Sequence, residues 1–267
     1  MPSLDTYLAK PKSEQKFLGL FVGRSGDGKS VAAASFPRPM MILDFDFRIS
    51  GIEGGVTSKC LENTSGIEYM QFNARDKSGY TKFDDTLVMW ETMRTSGTFP
   101  YKTVVIDSMF SMSRVFLAAA HGFLKGKHIG TLRMSGPGDY GFEVSATHQV
   151  FDFLRMLPCN VICSAHTIDK YGKVDPSDPY SPNEVKGEKL TVRDQLGESV
   201  QAYFDNVFRF SRDQGNNKLY YRVEFATDLA KNSYGIGPGQ HDITNKNFHN
   251  YLQTLISPAE KAPTQPK

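Results

Sequence analysis

Four apolar stretches punctuate the first two-thirds of the chain: "FLGLFV" (17–22), "MMILDF" (40–45), "TVVID" (103–107) and "NVICSA" (160–165). Each is short, rich in branched or aromatic side chains, and without the polar alternation of a half-solvated strand. Each therefore predicts a strand buried on both faces of a parallel sheet. Between them the period changes. Tyr80, Phe83, Leu87 and Trp90 fall three, four and three residues apart, on one helix face, and Val150, Phe153, Leu154 and Leu157 likewise share a face. Such stripes predict core packing, not ligand contact. Near the end the period is two, with Leu219, Tyr221, Val223 and Phe225 alternating with Tyr220, Arg222 and Glu224. A turn, "RDQGNNK", joins that strand to "NVFRFS" and predicts a hairpin. The expected fold class is α/β, a mostly parallel central sheet closed by a C-terminal antiparallel hairpin.

Composition removes alternatives more than it adds any. A chain of 267 residues, 39% hydrophobic and 22% charged, can bury a sizeable core and is not globally disordered. The formal net charge of +2 neither demands nor excludes a nucleic-acid partner. Cys60, Cys159 and Cys163 show no C-x-x-C pair and no ligand spacing, which fits filler thiols in a reducing compartment. No apolar run reaches the ~18 residues of a membrane helix, and "MPSLDTYLAKPKSEQK" lacks the apolar stretch of a signal peptide. The expectation is a cytoplasmic protein with no membrane contact. Residues 1–15 form an N-terminal segment, 16–256 one domain, and 257–267, rich in Pro, Ala and Lys, a disordered tail.

Directly after the first strand stands "GRSGDGKS", Gly23 to Ser30, a match without mismatch to G-x-x-x-x-G-K-[ST]. Glycines at 23, 26 and 28 let the backbone wrap so that the N–H groups of Gly23, Arg24, Ser25, Gly26, Asp27 and Gly28 face an anion. The following helix presents its positive end to the same place. Lys29 would reach the β and γ phosphates of ATP, and the Ser30 hydroxyl would ligate Mg²⁺. A plain Gly-rich turn is the alternative, but the strand before and the Ala-rich helix after are the order a phosphate loop needs. Asp107 ends the "TVVID" strand, at the sheet edge where open α/β sheets place ligands. It could hold the magnesium water shell, or cap the helix that follows. Asp44 and Asp46 in "MILDFDF" are two residues apart, hence on one face if the strand includes both. "NVICSAHT" ends in the polar His166.

The order of phosphate loop, acidic strand, "VVID" strand and polar-tipped strand, closed by a hairpin with "DLAKNSYG", resembles the RecA-type ATPase core. Within that class it is similar to the bacteriophage nucleotide-binding proteins of single-strand annealing and recombination, over about residues 16–235. The resemblance implies Mg²⁺-dependent ATP hydrolysis, self-association into a ring or filament, and single-stranded DNA as partner. Single-strand-binding or replication proteins are further partners it implies, in a host cytoplasm. It sets Asp46 where RecA-like enzymes carry a water-polarising glutamate, one methylene longer, which argues against fast turnover; a solvated loop acid is the other reading. His166 matches the γ-phosphate sensor, or is a polar strand end.

"AKNSYG" resembles a K-N-R-x-G segment whose Lys and Arg reach a neighbour's site. Lys231 and Asn232 keep the pattern and Ser233 replaces the arginine, with Arg209 or Arg212 as substitutes and a surface lysine as the plain account of Lys231. Two long loops are expected to face DNA. One is 121–142, with Lys125, Lys127 and Arg133; the other is 167–197, with Lys170, Lys173, Lys186, Lys189 and Arg193. Acidic residues balance the second, so a lid or partner-binding loop competes. Two other functions stay open: a small-molecule kinase with Arg193 as lid cation, and a nucleotide-gated scaffold with little turnover.

Overall fold

The computed structural model describes residues 16–73, 77–123, 128–129, 132–133, 135–177, 180–215, 218–227 and 230–256. The 1–15 segment, Lys125, Lys127 and the 257–267 tail lie outside the described residues. The chain runs β1 (Leu18–Gly23), α1 (Lys29–Ala34), β2 (Met40–Asp44), α2 (Ser50–Thr57), β3 (Ile67–Gln71), α3 (Lys77–Thr95), β4 (Thr103–Asp107) and α4 (Met109–Phe123). It continues with β5 (His128–Ile129), β6 (Leu132–Arg133), α5 (Pro137–Met156), β7 (Asn160–Lys173), β8 (Asn183–Leu190) and α6 (Asp194–Val200). It closes with β9 (Asn206–Gly215), β10 (Lys218–Glu224), β11 (Gln240–Asp242) and α7 (Phe248–Ile256).

The main sheet has the order β11-β10-β9-β1-β7-β4-β2-β3. Pairing is parallel from β9 to β3, while β10, β11 and β8 join antiparallel. This is the expected mostly parallel sheet with antiparallel C-terminal strands. The strand ending in Asp107 is not next to the phosphate-loop strand: β7 lies between them.

Strand alternation assigns the two cores and, with them, the site. Leu18, Leu20, Val22, Val104, Ile106, Val161, Cys163 and Ala165 face the layer of α3, α4 and α5. The residues between them, Phe21, Val105 and Ile162, face α1 and α7. Carrying the period of two onward puts Asp107, Ser164 and His166 on the α1 face. Trp90 and Phe83 are buried in the first core, as the helical stripe predicts.

Three sequence expectations need correction. β2 ends at Asp44, so Asp46 lies past the strand and the shared-face argument does not apply to it. The 167–197 region is not an irregular loop. β7 continues past His166 to Lys173 because β8 gives it an antiparallel partner, with a bulge at Lys170/Tyr171, and α6 follows. Its lysine- and glutamate-rich strands are wet on both faces and carry no apolar alternation to announce them. The 121–142 region is also mostly regular: α4 reaches Phe123, β5 and β6 pair, and α5 opens on Pro137 with the Asp139 carboxylate accepting the Gly136 N–H at 2.8 Å.

Candidate functional site

The loop between Gly23 and Lys29 is held from inside. Asp27 is buried, and its Oδ2 accepts the Arg24 N–H at 2.6 Å. Burial pushes its carboxyl up, against the Arg24 N–H and the nearby Lys29 charge. Gly26 and Gly28 have φ of 86° and 89°, left-handed values that side chains disfavour. Both also accept close neighbours. A Cβ on Gly26 would stand 3.1 Å from Arg212 Nη1, and one on Gly28 would stand 3.2 Å from the Tyr221 ring. Arg212 and Tyr221 are cross-strand partners on β9 and β10, so the terminal hairpin sits on the loop through one pair of side chains.

Lys29 is 4% exposed; its Nζ donates to the carbonyls of Gly23 (2.9 Å) and Arg24 (2.8 Å) and lies 3.5 Å from His166 Nδ1. Burial lowers its pKa to about 8, while Asp107, Asp27 and Asp46 work the other way. A lysine has only donors, so His166 Nδ1 must accept and the ring proton sits on Nε2. That nitrogen lies 3.3 Å from Asp46 Oδ2 and donates to it. The second Asp46 oxygen accepts the Ser111 hydroxyl. Burial raises the Asp46 carboxyl, but the hydrogen bonds from His166 and Ser111 outweigh it and hold it below the ordinary carboxylate value. Lys29, His166 and Asp46 thus form one hydrogen-bonded row. Asp44, in contrast, is buried and spends its oxygens on the N–H groups of Asp46 and Arg48 and the Gln71 amide, as a turn brace.

Ser30 Oγ donates to Asp107 Oδ2 at 2.6 Å, and the Ser164 hydroxyl donates to Oδ1. Among the described residues no group of three or more His, Cys, Asp or Glu side chains is placed to hold a metal. One hydroxyl beside one carboxylate is, however, the usual protein share of a Mg²⁺ whose other ligands are phosphate and water. Ser30 and Asp107 fit that role. These residues line a cavity of about 540 Å³, which also takes in Ser25, Arg48, Arg212, Tyr221, Lys246 and the glycine face of α2. That size suits a nucleotide-scale ligand.

A profile of the AAA domain matches residues 16–234. The chain belongs to the AAA-domain family. The match stands at the level of this P-loop ATPase family and does not extend to the bacteriophage subgroup. Among solved structures the fold is similar to a KaiC-like protein from the hyperthermophilic archaeon Pyrococcus horikoshii OT3, at 15% identity over 86% of each chain and a TM-score of 0.43. It is also similar to the flagellar accessory protein FlaH from Methanocaldococcus jannaschii, at 12% identity over 86% of this chain and 87% of that one, TM-score 0.41. No curated protein matches the sequence.

In this AAA domain several expected residues lie away from the cavity. The Arg24 guanidinium pairs with Asp169 and lies 3.9 Å from Glu188, so it faces the β7–β8 arm. Arg209 is taken by Glu188 and Glu224. Lys231 is exposed, bridged through its backbone to Val207, and absent from the cavity wall. Asn232 braces its own turn, donating to the Phe225 and Ile236 carbonyls and accepting from the N–H groups of Tyr234 and Ile236. Arg193 is absent from the cavity wall and is not a free cation. Its Nε donates to the buried Glu143 at 2.9 Å and its guanidinium lies 3.2 Å from the centre of the Tyr140 ring. Lys170, Lys173, Lys186 and Lys189 all belong to the arm, with Lys186 paired to Glu184. Arg133 sits in β6, apart from them.

Sequence reasoning missed Arg48, Ser111 and Ser164, and left Arg212 only as a substitute for a missing cation. Ser164 was readable, because it stands two residues before His166 and so shares its face. Arg48 and Ser111 reach the site from turns and helices with no period to follow.

Within the described residues no helix is long and apolar enough to cross a membrane. The three cysteines are free, with burial pushing the Cys159 thiol up to about 12.

Proposed function

We propose that this AAA domain binds MgATP over Ser25–Ser30 and hydrolyses it. Convergence carries the proposal: Lys29 and Ser30 follow β1, Asp46 follows β2, Asp107 ends β4 and His166 lies on β7, yet all five line one cavity. The loop backbone and Lys29 would take the phosphates, with Ser30 and Asp107 holding the metal. When bound, magnesium supplies charge neutralisation to the phosphate oxygens. Asp46, kept ionised by its hydrogen bonds, is equipped to orient and deprotonate an attacking water. His166 links it to Lys29, so a change at the phosphate is felt at the base. Titration calorimetry with MgATP and a phosphate-release assay test this. Asp46→Asn should keep MgATP affinity within about threefold and lose ~10²–10⁴ in kcat. Wild-type turnover in that variant, or no MgATP binding by the wild type, would overturn the proposal.

A single-stranded DNA partner is the second element we propose, serving recombination or replication in a self-associated form. The supporting observation is the arm. It continues the strand that carries His166, combines Lys170 and Lys186 with exposed Tyr171 (62%) and Tyr180 (94%), and is pinned to the phosphate loop through Arg24 and Asp169. Cations interleaved with aromatics suit backbone tracking and base stacking. Oligo-dT affinity should fall steeply with salt and oligo-dT should raise turnover. Salt-insensitive or absent binding rejects this element and leaves the first standing.

A further inference from the structure

Among the described residues four cations line the phosphate cavity, from four parts of this one chain; Lys246 spends its Nζ on the Asp242 carbonyl and the Tyr251 ring, and the other three face the loop. Lys29 lies below the loop. Arg48, from the β2–α2 connection, donates from Nη1 to Ser25 Oγ at 2.7 Å. Arg212, from β9, holds its Nη1 3.1 Å from the place a Gly26 Cβ would occupy. Ser25 and Gly26 are adjacent in the loop, so the two guanidinium groups meet neighbouring residues of the turn a polyphosphate would cross. Both line the cavity. Among the described residues neither is in an ion pair, whereas Arg24 and Arg209 are each committed to carboxylates. Arg212 is also held in place, because its cross-strand partner Tyr221 rests on Gly28.

We propose that Arg48 and Arg212 are phosphate-binding residues acting in cis, so that one chain holds the whole cation set and turnover needs no lysine or arginine from a neighbouring copy. A guanidinium is permanently charged and offers a planar fork to phosphate oxygens. Two of them against the loop can take up charge that grows on the terminal phosphate during transfer. Glycine at 26 suits this, because its φ of 86° disfavours any side chain and a Cβ there would make the Arg212 guanidinium give by a few tenths of an ångström. Self-association, in this arrangement, serves partner binding and leaves the catalytic site intact in each copy.

The inference rests on the MgATP proposal, and mixing two variants separates it from that proposal. Lys29→Ala and Arg212→Ala are each assayed alone and then as an equimolar mixture, beside the wild type at concentrations spanning two decades. Arg212→Ala should retain MgATP binding and lose on the order of 10²-fold in kcat, the cost of removing one transition-state donor, with Arg212→Lys recovering part of it. The mixture should be no more active than the sum of its parts, and wild-type specific activity should not change with concentration. Restored activity in the mixture, specific activity rising with concentration, or wild-type kcat in Arg212→Ala would overturn the cis assignment alone. Absence of MgATP binding in the wild type would overturn the site itself. Arg212→Gln in the same mixture decides the matter if the alanine variant is unstable.

Discussion

Keeping Lys29 charged costs stability that can be measured. Only 4% of the residue reaches solvent, and burial lowers its pKa from 10.5 to about 8 despite the opposing pull of Asp107, Asp27 and Asp46. At 1.36 kcal/mol per pKa unit the gap corresponds to about 3 kcal/mol. The folded chain releases this proton near pH 8 and the unfolded chain near 10.5, so between those values the unfolded chain binds more protons and stability rises with pH. Below pH 8 the cost is present in full, and above 10.5 it is gone. Lys29→Met removes the titration, and the bonds it loses to the Gly23 and Arg24 carbonyls do not vary with pH. Urea unfolding of both proteins at several pH values isolates the effect. The stability of the wild type relative to Lys29→Met should climb by about 3 kcal/mol between roughly pH 7.5 and 10.5. Saturating MgATP should flatten the climb, because phosphates beside Nζ keep it protonated throughout. A flat difference without nucleotide, or one that falls with pH, would refute a buried lysine with a depressed pKa.

Three further outcomes follow from the same geometry. MgATP affinity should weaken by up to ~10-fold per pH unit above pH 8, the limit for one linked proton, and calorimetry in buffers of different ionisation enthalpy should register proton uptake in that range. Ser164→Ala removes the hydroxyl that fixes Asp107 Oδ1, so apparent Mg²⁺ affinity in the ATPase assay should fall ~10–100-fold, with about 1–3 kcal/mol lost in denaturant unfolding for the carboxylate oxygen left without its donor. Arg193→Ala leaves the buried Glu143 without its ionic partner and should cost about 1–3 kcal/mol in denaturant unfolding, less than a fully buried pair because Arg193 is itself 39% exposed. Its MgATP affinity should match the wild type, which a lid residue would not permit.

Where burial on both faces writes an uninterrupted apolar run, the sequence announces the element, as for "FLGLFV", "TVVID" and the Tyr80–Trp90 stripe. β3 carries the sequence "IEYMQ", mostly solvent-facing at the sheet edge, and has no run to detect. The arm was hidden for the same reason, since Lys, Glu and Gly satisfy an exposed ladder as well as a loop. Site residues divide in a similar way. Lys29 and Ser30 sit in a contiguous motif, and Asp107 and His166 on strands whose period could be extended. Arg48 and Arg212 depend on how a turn and a hairpin fold back over the loop, a long-range fact that no local spacing contains. Arg193 shows the converse: a cation in a polar stretch invites a ligand role until packing reveals Glu143 and Tyr140 around it.

Glu188 takes two arginines at once, Arg24 of the phosphate loop and Arg209 of β9, and Arg209 in turn reaches Glu224 of β10. Three segments distant in sequence therefore share one carboxylate. For anyone building chimaeras from this scaffold, the eight-residue loop is not a portable cassette. Replacing the arm without Asp169 and Glu188 would release Arg24 and strip Arg209 of its better partner, disturbing loop and hairpin together. The smallest unit that can be exchanged cleanly is loop, arm and β9–β10 hairpin as a set, and substitutions in natural variants should track one another across those three segments.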